Sequence, residues 1–313
     1  MLKYILALGI GLLSTIPVPT QAAEPESCRK VRFSDVGWTD ITSTTSTASI
    51  ILEALGYAPE SSMLSISVTY ASMKNKDIDV YLGDWQPSMV ADRKPYLEDK
   101  SIVVLGPNLV GAKYTFAVPK YASEGGVKDF ADLQKFADKF DRKIYGIEAG
   151  NNANRMIQEM IDKNDFGLKD WTLVESSEQG MLTAVDRAIR DNKWIVFLGW
   201  EPHPMNTKYQ ISYLTGGDAT FGPNFGGAEV FTNLRTGFTQ ECPNVTRFFQ
   251  NLRFSLEMEN EIMDAILNQD AEPKAAAEAW LKAHPAVVKP WLEGVTTFDG
   301  KPALDAVDGA IKG

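Results

Sequence analysis

Trp194-Ile195-Val196-Phe197-Leu198-Gly199-Trp200 is the stretch on which the architecture turns. Residues 195–198 are short enough for a strand and apolar without alternation. That is the pattern of a strand covered on both faces, as parallel strands in layered α/β folds are. Two further runs end in the same way. Val31-Arg32-Phe33 leads to Gly37-Trp38, and Ile78-Asp79-Val80-Tyr81-Leu82 leads to Gly83-Asp84-Trp85. In open α/β proteins ligands sit beyond the carboxyl ends of the strands, so three indoles are delivered to the place where a site is expected.

Outward from these runs the chain alternates. Strands are expected at 31–33, 65–68, 78–82, 102–105, 114–118, 143–147, 171–174 and 195–198. The first helix should begin near Ser46 or Thr47, either of which would cap it, and stop at Gly56. Further helical patterns cover 93–97, 129–140, 153–161 and 179–191. From 244 to about 283 apolar residues recur at helical spacing, with Pro273 opening a separate helix. Strand–helix alternation of this kind defines the α/β class.

The first residues read as a secretory signal peptide, 1–22. Lys3 forms a short positive region, 4–16 are apolar, and Thr20-Gln21-Ala22 offers a cleavage site. The exported chain is expected in the periplasm, without a membrane anchor. Its two cysteines, Cys28 and Cys242, are then expected to form a disulfide, which returns the residues after about 240 to the N-terminal domain. The formal charge of −10 speaks against nucleic acid and anionic membranes as partners.

Catalytic machinery is sparse. The two histidines, His203 and His284, have no Cys, His or carboxylate at metal spacing, so no metal site and no cofactor are expected. There is no Gly-x-Ser-x-Gly elbow and no phosphate-binding Gly-x4-Gly-Lys loop. Carboxylates such as Asp77, Asp79 and Asp84 are too common in this acidic chain to mark acid–base chemistry. A binding protein rather than an enzyme is the expectation.

A box of π-faces suits a cation that donates no hydrogen bonds. Trp38, Trp85 and Trp200 lie at strand ends, and Tyr114 opens another strand. Asp40 shares the loop of Trp38, and Asn151 precedes a helix. The segments Gly37-Trp38-Thr39-Asp40, Gly83-Asp84-Trp85-Gln86-Pro87, Ala149-Gly150-Asn151-Asn152-Ala153-Asn154 and Gly199-Trp200-Glu201-Pro202-His203-Pro204-Met205 together resemble the periplasmic substrate-binding proteins of ABC importers for glycine betaine and choline. Within that group the choline-binding proteins are the most similar, over essentially the whole mature chain.

The resemblance implies a two-lobed, type II periplasmic binding protein fold with the ligand in the cleft. Lobe I would comprise 28–115 and 215–313, and lobe II 116–214. It implies that Trp38, Trp85, Tyr114 and Trp200 form the cation box, with Asp40 and Asn151 holding a choline hydroxyl. It also implies a monomer that hands its ligand to ABC permease subunits. Asp40 favours choline, since a carboxylate in the box repels the carboxylate of glycine betaine or proline betaine. A betaine-binding protein is the near alternative, and an enzyme acting on choline esters the distant one.

Overall fold

The computed structural model describes residues 23–312; the leader assigned to 1–22 lies outside them. Among the described residues nine strands form one mixed sheet. They are β1 Lys30–Asp35, β2 Ala58–Met63, β3 Val80–Gln86, β4 Ile102–Pro119, β5 Lys143–Tyr145, β6 Thr172–Val174, β7 Val196–Glu201, β8 Ile211–Tyr213 and β9 Gly227–Arg235. Their order is β2-β1-β3-β9-β4-β7-β5-β6, with β8 also on β4. Two parallel triads, β2-β1-β3 and β7-β5-β6, are thus joined by the antiparallel pair β9 and β4.

The apolar run of the opening stretch is buried throughout, with Val196, Phe197 and Leu198 at 0% exposure. Its pairing is only half parallel, because β7 runs parallel to β5 and antiparallel to β4. Expected strands 102–105 and 114–118 are one continuous strand of 18 residues. It bends through three register shifts against β9, where unpaired residues let a long strand curve. Tyr114 therefore does not open a strand; it lies inside β4, directly opposite Trp200 of β7.

Two boundaries differ from expectation. The first helix spans Thr39–Ala54 and begins seven residues before Ser46. Its Ser/Thr run is not a loop. Ser43, Thr44 and Thr47 turn their hydroxyls back onto the carbonyls of Asp40, Ile41 and Ser43, so these polar side chains are satisfied inside a buried helix. Residues 65–68 are not a strand but the start of the helix Ile66–Lys74, with Ser65 capping it through Val68 N–H. The edge strand is instead β2, whose Ala-Pro-Glu-Ser-Ser-Met sequence lacks an apolar pattern and is held by its ladder to β1.

The other helices fall close to their expected places. They include Val90–Glu98, Asn152–Asp162, Glu178–Arg190, Pro243–Asn251, Leu256–Asn268 and Pro273–Ala283. The segment Phe130–Phe140 is 3-10 helix broken at Phe136 rather than a regular α-helix.

The Cys28–Cys242 disulfide is present. Beside it Glu24 accepts from Tyr57 and from the backbone N–H of Asn244, tying the N-terminal segment to the C-terminal helices. Among the described residues no helix is long and apolar enough to cross a membrane.

Candidate functional site

Each tryptophan arrives at the site by a different local route. Gly37, at φ +83°, turns the chain out of β1 so that Trp38 becomes the residue preceding the helix Thr39–Ala54. Trp85 is the penultimate residue of β3 and Trp200 the penultimate residue of β7. Tyr114 is fixed beside Trp200 by strand register. Behind it Gly226 approaches so closely that a Cβ would collide with the Tyr114 backbone.

These four aromatics line one cavity. The rings of Trp85 and Tyr114 lie 5.8 Å apart at 41°. Asp40 joins the wall from the first turn of its helix. Ser88, Ile147 and Asn152 line it as well, and none of these was singled out from sequence.

Asn151 behaves differently from the other expected residues. Its Oδ1 accepts from Ala153 N–H and from the Tyr114 hydroxyl, and its Nδ2 donates to Glu148. It caps the helix Asn152–Asp162 and stands behind Tyr114, outside the cavity lining. The neighbouring Asn152 is buried in the wall, with neither amide atom hydrogen-bonded to protein. A buried polar group in that condition costs about 1–3 kcal/mol.

The ring edges are held by carboxylates. Trp38 Nε1–H donates to Glu148 at 2.9 Å, and Trp85 Nε1–H donates to Asp40 Oδ2 at 3.0 Å. Trp200 meets His203 edge-on, with ring centroids 4.7 Å apart. His203 Nδ1 accepts from Met205 N–H, which leaves the proton on Nε2 to be donated to Glu178. Glu178 also accepts from Thr39 N–H, one of the otherwise unpaired donors at the start of the first helix. A single carboxylate thus braces both Trp200, through His203, and the helix that carries Asp40. Sequence reading missed Glu148 and Glu178 because their partners lie 110 and 139 residues away.

The electrostatics of the cavity turn on Asp40. Burial, reinforced by the nearby Glu178, pushes the Asp40 carboxyl up to about 8, against the opposing hydrogen bonds from the backbone and the Trp85 indole. Its Oδ1 has no partner. Glu259 is also raised well above the usual range, first by burial and then by Asp40. Among the described residues no Lys or Arg lines the cavity. Arg155 lies outside it and donates from one guanidinium nitrogen to both oxygens of Asp92 at 2.7 Å.

Two of the acids discounted as catalysts have structural partners: Asp79 pairs with Arg32 and Arg235, and Asp84 with Arg93. Among the described residues no group of three His, Cys, Asp or Glu is disposed to hold a metal ion.

An aromatic cage with acidic backing is the hardware of a cation-binding protein, and comparison with known proteins agrees. The model for the substrate-binding domain of ABC-type glycine betaine transport systems matches residues 29–283. The chain belongs to that family.

Two structures of an ABC-transporter choline-binding protein are 58% identical to this substrate-binding protein, covering 92% of it and 100% of their own chains. The TM-score is 0.90 for the complex with choline and 0.85 for the unliganded, semi-closed form. Lactococcal OpuAC, closed on glycine betaine, is 28% identical over 84% of this chain and 98% of that one, with a TM-score of 0.76. The glycine betaine/carnitine binding protein GbuC of Listeria monocytogenes is 30% identical over 52% of this chain and 53% of its own length. The fold is the type II periplasmic binding protein fold, and the family serves ABC importers as their substrate-binding component.

Proposed function

We propose that this protein captures choline and delivers it to the permease of an ABC importer. The observation that carries the choice is the carboxylate of Asp40, set in the cavity wall with one oxygen unpartnered and with no basic side chain among the described lining. A quaternary ammonium is met there by π-faces and, once bound, favours the ionised form of Asp40. A ligand carboxylate would find repulsion without a compensating cation.

In this reading Trp38, Trp85, Tyr114 and Trp200 hold the ammonium, Asp40 supplies the charge, and Asn151 steadies Tyr114 from behind. Each ring contributes roughly 0.5–2 kcal/mol when desolvated, and micromolar affinity needs about 8 kcal/mol. Four rings and one carboxylate are of the right order.

The cleft lies between lobes at 28–115 with 215–313, and 116–214. The bonds Trp38–Glu148, Thr39–Glu178 and Asp92–Arg155 then join the two lobes and form on closure. The 1–22 leader directs the chain to the periplasm, where it works as a monomeric carrier rather than an enzyme.

Calorimetric titration with choline and with glycine betaine tests this. The expected result is one choline per chain, bound at least tenfold more tightly than betaine. Tighter binding of betaine would transfer the protein to the betaine branch of the family, and stoichiometric silence with both would end the quaternary-amine reading.

A further inference from the structure

We propose that Asn154 is a positioning residue for the cage. It fixes the turn that carries Glu148, so that the indole of Trp38 closes onto an acceptor already in place. The proposal rests on the cation-box reading above and concerns a side chain that does not line the cavity.

Asn154 is the third residue of the helix Asn152–Asp162, the position from which a side chain commonly reaches back to the N–H of the capping residue. Here it reaches further. Its Oδ1 accepts from Ile147 N–H at 3.2 Å. Its Nδ2 lies 3.0 Å from Ile147 O, 2.9 Å from Glu148 O and 3.1 Å from Glu175 Oε1, with its two hydrogens shared among the three. The residue is 2% exposed, so these bonds are made away from water, where they hold most firmly. Gly146 records the same closeness. A Cβ there would overlap the Asn154 amide, so β5 enters the turn through the one residue type that admits it.

The clamped turn serves the cage twice. Ile147 lines the cavity. Glu148 Oε1 accepts from the Trp38 indole at 2.9 Å and from Asn151 Nδ2 at 2.8 Å, and Asn151 in turn accepts from the Tyr114 hydroxyl. Two of the four rings thus lean on a turn that Asn154 holds.

Every partner of Asn154 falls within 116–214, whereas Trp38 comes from the other lobe. The clamp is therefore complete before closure, and the Trp38–Glu148 bond is made by it. An acceptor set in advance spares the ordering of a mobile side chain at the moment of binding.

A residue that merely satisfied buried carbonyls would support the lobe with no special link to Glu148. A double-mutant cycle on choline affinity separates the two roles, using Asn154→Ala, Glu148→Ala and both together. Asn154→Ala alone is expected to weaken choline binding about tenfold, within the range of coupled neighbours. In the Glu148→Ala protein the same change should cost less than about twofold, because the acceptor it positions is gone. Asn154→Asp keeps the size and the bond from Ile147 N–H but donates nothing. It should behave like Asn154→Ala, and it carries the cycle where the alanine variant does not fold, as the melting transitions of the empty proteins report.

An equal cost with and without Glu148 would make Asn154 a structural prop alone. No cost in the otherwise wild-type protein would show that the turn stands without it. Either overturns the proposal. Absence of choline binding by wild type would overturn the cation box and this proposal with it, and is told apart because no variant is needed to see it.

Discussion

Asp40 holds the indole N–H of Trp85 with one carboxylate oxygen and leaves the other without a partner in the cavity wall. The group is buried, with its pKa pushed up to about 8 from an ordinary 3.8. Burial and Glu178 raise it, while the Trp85 N–H opposes them; Glu259, Tyr81 and Tyr114 are near enough to feel its charge. In the empty protein the folded state therefore retains a proton that the unfolded chain would lose. Stability from this group is fully present below about 4 and declines as the pH climbs towards 8. Ligand binding runs the other way, because a quaternary ammonium favours the carboxylate. Choline affinity is expected to weaken by up to about tenfold per unit as the pH drops below 8. Titrations between pH 6 and 8.5 check this, and Asp40→Asn should flatten the profile at a weaker affinity.

Glu178 offers a separable prediction. Glu178→Gln removes a charge that raises Asp40, so the midpoint of the choline pH profile should move below that of wild type. Glutamine also cannot accept from both Thr39 N–H and His203 Nε2–H through two oxygens, as the carboxylate does. The brace behind Trp200 is then weakened, and affinity at pH 8 should fall several-fold. A purely structural residue would lower the melting temperature and leave the midpoint where it was.

Loss of the disulfide should act on stability alone. Replacing Cys28 and Cys242 by serine removes a cross-link between residues 214 apart in sequence. A cost of about 2–5 kcal/mol is expected, visible as an earlier denaturant midpoint. Neither cysteine lines the cavity, so the choline dissociation constant of the folded variant should stay within about twofold of wild type.

The three tryptophans were legible because each follows a glycine at the end of a recognisable strand, and such ends meet at one edge of an α/β sheet. Their convergence with Tyr114 on one cavity follows from that geometry. The start of the first helix was not legible, because its serine and threonine hydroxyls bond inward to the preceding turn and its Thr39 N–H is satisfied by Glu178, 139 residues later. Strand β2 escaped notice because an exposed edge needs no apolar alternation when its neighbour supplies the ladder. Asn151 and Asn152 are indistinguishable in sequence, because the difference is made by distant groups: Asn151 bonds to Tyr114 and Glu148 as well as Ala153, while the Asn152 amide has no protein partner.

Strand order also ties the two sides of the cage to different stretches of chain. Strands β4 to β8 lie within residues 102–213, so β5, β6, β7 and β8 have their sheet neighbours inside that span. The triad β2-β1-β3 reaches the rest of the sheet only through β9, and Cys28 its partner only at Cys242. Tyr114 and Trp200 therefore share a ladder closed within one stretch, whereas Trp38 and Trp85 are joined to them through a strand that lies far later in sequence.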